Sequence, residues 1–158
     1  MKKSTEKTNV MRILDQKKIP YQSHTYAGTG AISGREAAAI LNQNPSQVFK
    51  TLVTYGATKT NYVFLIPVEK ELNLKKAALS VNEKSITMHK SKDLLPLTGY
   101  IHGGCSPIGM KKPFQTTIDT TALTFPTILF SAGKIGFQVE LTLTDLKKVL
   151  PFTLKDLT

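Results

Sequence analysis

The chain has 158 residues, 41% of them hydrophobic, a length and apolar content that suit a single domain (1–158) with one continuous core. Its 21 Lys and Arg against 11 Asp and Glu give a net charge of +10, which favours an anionic partner such as nucleic acid, although lysine doublets spread along the chain also suit an ordinary basic surface. One cysteine excludes an internal disulfide, three scattered histidines argue against a metal site, and no apolar run is long enough for a membrane span, so a cytoplasmic protein without metal is expected.

Val10, Ile13 and Leu14 recur at helical spacing within residues 8–18, and Pro20 stops the pattern. Residues 21–26 read as extended. Ser33 and Glu36 stand three apart before an alanine run, a capping-box signature for a helix to about Leu41. Residues 48–55 and 62–67 flank a turn-rich segment and read as a hairpin. Asn73 is placed to cap a helix over 74–79, 86–88 suits a short strand, and Ser91 is placed to cap a helix over 92–95. Beyond Gly99, residues 100–102, 115–118, 127–131 and 137–141 read as short strands, and Thr144 introduces a helix over 145–150 ended by Pro151. The expectation is an α+β fold: six to seven short strands, mixed but largely antiparallel, forming a curved sheet or barrel flanked by about five helices.

Two segments stand out chemically. Gly103-Gly104-Cys105-Ser106-Pro107-Ile108-Gly109 combines glycine freedom with a fixed proline, a loop that can turn backbone N–H groups toward a developing oxyanion or simply connect two strands. Lys50 interrupts the apolar run Val48-Phe49-Lys50-Thr51-Leu52-Val53. A lysine there either snorkels at a sheet edge or, half-buried, holds an anion, orients a carbonyl or transfers a proton.

The segments His24-Thr25-Tyr26, 44–52 around Lys50, Gly99-Tyr100 with 103–112, and Ser131-Ala132-Gly133-Lys134 together resemble the YbaK/EbsC family of aminoacyl-tRNA deacylases, and the likeness spans nearly the whole chain. The resemblance implies a prolyl-tRNA synthetase editing-domain-like barrel and a cofactor-free hydrolase that clears mischarged tRNA, typically Cys-tRNA(Pro), in association with prolyl-tRNA synthetase. It also implies an essential lysine at Lys50, oxyanion stabilisation by Gly103 and Gly104, and a substrate pocket drawing on Tyr26, Phe49, Thr51, Cys105, Ser106, Pro107, Ser131 and Gln138. Gln138 departs from relatives that carry an acidic residue there, and a neutral amide cannot pair with an ammonium as a carboxylate does. Cys105 stands where relatives carry an aliphatic residue and reads as packing. His24 and His102 read as ordinary half-buried histidines. No serine sits in a nucleophile-elbow pattern, so a substrate thiol or ribose hydroxyl is a candidate either for activating the attack or for making it. The alternatives are the same reaction on Ala-tRNA(Pro) or another ester, a non-catalytic RNA-binding module, and a regulator of envelope properties.

Overall fold

The computed structural model describes residues 6–158; Lys2 and Lys3, the first lysine doublet, lie outside them. Helix α1 (Asn9–Gln16) is capped by Thr8, whose hydroxyl accepts the Met11 N–H, and it buries Val10, Met11 and Leu14. Strand β1 (Gln22–Thr25) follows. Helix α2 (Gly34–Ile40) opens on a complete capping box, in which Ser33 Oγ accepts the Glu36 N–H and Glu36 Oε1 accepts the Ser33 N–H, both at 3.1 Å. The hairpin pairs β2 (Phe49–Gly56) with β3 (Asn61–Pro67), and α3 (Leu74–Ser80) is capped by Asn73, whose side-chain Oδ1 accepts the Lys75 and Lys76 N–H groups. Strand β4 (Ile86–Met88), a 3-10 turn at Ser91–Asp93 and α4 (Leu94–Thr98) come next. The chain closes with β5 (Gln115–Asp119), β6 (Ile128–Ser131), β7 (Phe137–Leu141), α5 (Leu143–Lys147) and β8 (Thr153–Lys155).

Among the described residues the strands form two sheets, ordered β1-β7-β6 and β4-β2-β3-β5-β8. Strand β3 is buried on both faces: Tyr62 to Ile66 are each at most 6% exposed. Side chains alternate across a strand, so Val63 and Leu65 join the main core with Val10, Leu14, Phe49, Val53, Ile118, Phe130 and Val139. On the other face Tyr62, Phe64 and Ile66 pack under α3 with Ala77, Ala78 and Leu157. The sheets meet where the Leu129 N–H donates to the Gln47 carbonyl at 3.1 Å, beside a single parallel bridge between Val48 and Leu129.

The mixed α+β class, with a majority of antiparallel pairings, is as expected, but several details differ. The described strands number eight, not six or seven, and their pairing does not close into one barrel: the outer edge of β2 carries β6 at one end and β4 at the other, with an opening between. Strand β8 escaped notice because it is three residues long and largely exposed, recognisable only through its parallel pairing with β5. Residues 100–102 are not a strand: 100 and 101 are irregular and a turn covers 102–104, closed by the Gly104 N–H reaching back to the Ile101 carbonyl at 3.0 Å. Helix α4 starts later than expected and runs through Pro96, tolerated in a first turn where its missing N–H is not needed. Thr142, not Thr144, caps α5 by accepting the Asp145 N–H at 3.1 Å, so the helix starts and ends earlier.

Ser33→Ala removes one half of the capping box and should lower stability by about 1 kcal/mol, measured by urea unfolding at neutral pH. An unchanged midpoint would mean that the cap contributes nothing to α2.

Candidate active site

The opening along β2 is a cavity of about 490 Å³. Its position follows from strand pairing. The Val48 carbonyl accepts the Val68 N–H at 2.9 Å on the β3 side, whereas the Gln47 carbonyl faces Leu129 of β6 and the Val53 carbonyl accepts the His89 N–H at 3.1 Å on the outer side. Even-numbered residues here therefore turn their backbone groups toward β3 and odd-numbered ones toward the outer edge. Strand β4 pairs only with Thr54, Tyr55 and Gly56, so the Thr51 backbone faces an edge on which no strand pairs with it. The Thr51 hydroxyl oxygen is buried and has no hydrogen-bond partner among the described residues, which leaves an unsatisfied polar group at the cavity wall.

Lys50 lies directly across the ladder from Ile66 and is half-buried at the cavity. Burial pulls its pKa below the ordinary lysine value; Glu71 opposes that shift, while the Arg35 guanidinium adds to it. Among the described residues Lys50 forms no ion pair within 4 Å, so its ammonium is available to a ligand. Arg35, positioned by the first turn of α2, also lines the cavity.

The glycine loop enters from the other side and is held by Tyr100. The Tyr100 ring is buried and its hydroxyl donates to the Ile108 carbonyl at 2.6 Å. A Cβ on Gly133 would stand 2.8 Å from that ring, so the Ser131-to-Lys134 turn and the glycine loop are packed through one aromatic side chain. Gly103 has φ of +88°, and a Cβ there would meet Ile32 Cγ2 at 2.7 Å, so both conformation and space call for glycine.

Of the residues expected at the site, the fold brings Tyr26, Phe49, Lys50, Thr51, Gly103, Cys105, Ser131 and Gln138 to this one cavity. Gly104, Ser106 and Pro107 do not line it. Gly104 packs against the backbone of Lys134 and Ile135, and its N–H already serves Ile101, so it is not an open oxyanion donor; Ser106 and Pro107 are buried within the loop. Among the lining residues not expected at the site, three are ionisable: Arg35, hidden inside a helix-cap signature, and His89 and His102, which no motif marked, His102 being exposed where a half-buried histidine was expected. His89 is anchored by Asn61 Oδ1 at 2.6 Å and packs at a tilt against the Tyr55 ring, and burial lowers its pKa. Gln43, equally unmarked, donates from Nε2 to Gln138 Oε1 at 2.8 Å. Among the described residues no cluster of three or more His, Cys, Asp or Glu is arranged to hold a metal ion, and no helix is long and apolar enough to cross a membrane.

Comparison with known proteins places the fold and the family. Residues 31–149 match the model of a family described as the aminoacyl-tRNA editing domain. The chain is 44% identical over 141 residues to an Enterococcus faecalis protein provisionally named Cys-tRNA(Pro)/Cys-tRNA(Cys) deacylase EbsC, covering 89% of this chain and 86% of the relative. The fold superposes on a crystal structure described as a proposed trans-editing enzyme for prolyl tRNA synthetase with a TM-score of 0.83 at 22% identity, covering 97% of this chain and 99% of the other. A crystal structure of a hypothetical protein matches with a TM-score of 0.84 at 20% identity, covering 94% and 97% of the two chains.

Cys105 lines the cavity yet is only 7% exposed, and burial pushes its thiol up to about 11. At pH 8 it should react with a disulfide reagent at least about tenfold more slowly in the native chain than in the unfolded one, the small thiolate fraction outweighing the greater intrinsic reactivity of a basic thiolate. Equal rates would show an accessible thiol of ordinary reactivity and overturn its reading as packing, and a faster native rate would identify Cys105 as an activated nucleophile.

Proposed function

The chain belongs to the aminoacyl-tRNA editing-domain family, on its YbaK/EbsC side, and from that premise we propose that it is a trans-editing deacylase hydrolysing the ester of Cys-tRNA(Pro). The observation that carries the reading is the meeting of Lys50, Gly103 and the open Thr51 edge in one cavity, within a chain 44% identical to a relative named for that reaction. The chain acts as one editing domain in the cytoplasm, with mischarged tRNA as substrate and prolyl-tRNA synthetase as the associated partner. A chain of net charge +10 steers tRNA phosphates toward it without selecting a sequence. No cofactor is needed for ester hydrolysis.

Ester hydrolysis needs a site that receives negative charge on the carbonyl oxygen as the tetrahedral intermediate forms. Lys50 supplies a partly desolvated ammonium, and the outward-facing Thr51 N–H supplies a fixed donor next to it on the same strand. Together they take the part that the Gly104 N–H cannot play while it serves Ile101. Gly103 closes the opposite wall, where any larger residue would drive into Ile32. The attacking group is water, activated by the substrate's own thiol or by the vicinal hydroxyl of the terminal ribose. Cys105 is too basic for the role, and among the described residues Ser131 Oγ accepts the Gly133 N–H and hydrogen-bonds to no base.

Purified protein incubated with proline tRNA charged separately with Cys, Ala and Pro should hydrolyse the Cys ester selectively. Preference for the Ala ester would change the substrate, and loss of none would favour a non-catalytic RNA-binding module. Lys50→Met should lower kcat/KM by about 10²–10³-fold, the usual effect of removing one preorganised stabiliser of an oxyanion. It should also stabilise the fold. With a lowered pKa the folded chain binds the Lys50 proton less tightly than the unfolded chain, so the charge costs stability at neutral pH, and the cost fades as pH rises toward the ordinary lysine range. A thermal midpoint that rises at pH 7, by less at higher pH, in a variant that has lost hydrolysis would match this account; a midpoint that falls would assign Lys50 a structural role.

A further inference from the structure

The charge around the cavity is one-sided. Lys50 from β2 and Arg35 from α2 line it with His89, His102, Tyr26 and Cys105, and among the described residues no Asp or Glu does. The five residues outside the description contain no acid either. The carboxylates closest in effect stand outside the lining. Glu71 acts on Lys50 and Asp93 on His89, both from outside the lining. Glu140, two residues beyond Gln138 on β7, meets His24 Nε2 at 2.7 Å with one oxygen and the Thr127 hydroxyl at 2.6 Å with the other.

Gln138 adds a second, independent constraint. It is 2% exposed, and Gln43 Nε2 occupies its Oε1 at 2.8 Å. Gln43 fixes the oxygen end of the amide on its own side, and among the described residues the Gln138 N–H₂ has no hydrogen-bond partner, so the group it has free for a ligand in the cavity is a donor. An aminoacyl ester carries an α-amine close to the reacting carbonyl. As an ammonium it would face two like charges with no carboxylate to answer it, and the Gln138 donors would point at its own N–H groups. As a free amine it has a lone pair to accept from that amide.

Resting on the deacylase reading, we propose that the cavity receives the aminoacyl ester with its α-amine uncharged, the nitrogen lone pair accepting a hydrogen bond from the Gln138 side chain that Gln43 holds in place. Gln43 is a positioning residue here, because it decides which end of the Gln138 amide meets the substrate. The neutral form is readily available: an α-amino group titrates at about 7.7–8.0 in model peptides, and the electron-withdrawing ester lowers it further.

The test compares two esters of the same proline tRNA, one cysteinyl and one in which a hydroxyl replaces the α-amine while the thiol is kept. Taking the ratio of their kcat/KM values at each pH removes the contributions of hydroxide and Lys50, which both esters share, and the thiol is corrected for by titrating it on each free ester, because the α-ammonium lowers the pKa of its neighbour. The ratio should rise with pH by about tenfold per unit below the amine's own pKa, titrated on the free ester, and level off above it. A ratio that is flat, or that falls as pH rises, overturns the proposal. Gln138→Glu supplies the missing carboxylate and should reverse the trend, favouring the ammonium at low pH; an unchanged trend in a folded variant would remove Gln138 from the recognition. Hydrolysis with the wrong pH trend defeats the uncharged amine alone, whereas hydrolysis of neither ester at any pH defeats the deacylase reading and this inference with it.

Discussion

The architecture turns on what happens along the outer edge of β2. One strand edge has two partial neighbours: β6 at the Gln47 and Val48 end and β4 at the Thr54 to Gly56 end. Between them the backbone polar groups have no ladder partner. Unpaired groups of this kind are costly when buried, and proteins leave them open where water or a ligand satisfies them. The cavity is therefore a consequence of the pairing. The same feature explains why two sheets form in place of a closed barrel: full closure would have required a strand where the substrate is proposed to sit.

The rest of the fold serves this opening by making its walls stiff. Strand β3, buried on both faces, fixes β2 from behind through a seven-residue register. Tyr100 fastens the glycine loop to the turn after β6, so Gly103, Cys105 and Ser131 reach the cavity through elements that pack on one ring. Lys50 and Thr51 come from a strand, Gln138 from another, and Arg35 from the capped start of a helix. Sites built on such elements hold their geometry more closely than sites on free loops. Stability and chemistry pull in opposite directions at Lys50, whose burial weakens its hold on a proton and whose charge is kept available for a ligand.

Much of this was legible in the sequence because local rules and tertiary structure agreed. The Ser33 and Glu36 box, the Asn73 cap and the 137–141 strand are each decided within a few residues, and each occurs as read. Lys50 could be singled out because a charge in an apolar strand is rare enough to be informative. What escaped depends on partners distant in sequence. Strand β8 exists through its parallel ladder with β5, and residues 100–102 look like a strand until Tyr100 and Ile101 are seen to bond back into the following loop. Gly104, Ser106 and Pro107 belong to the same motif as Gly103, yet support the loop from inside. Gln43 carried no local signal, since its importance lies in touching a residue 95 positions away.

The central claim is that the reacting carbonyl sits against the open edge of β2 with Lys50 and the Thr51 N–H at its oxygen. A crystal structure with a non-hydrolysable cysteinyl-adenosine analogue, its ester replaced by an amide, tests this most directly. The account predicts the analogue's carbonyl oxygen within hydrogen-bonding distance of both groups, with Gly103 on the far side of the acyl carbon. An analogue bound elsewhere, or bound in the cavity with its carbonyl turned away from β2, would contradict it.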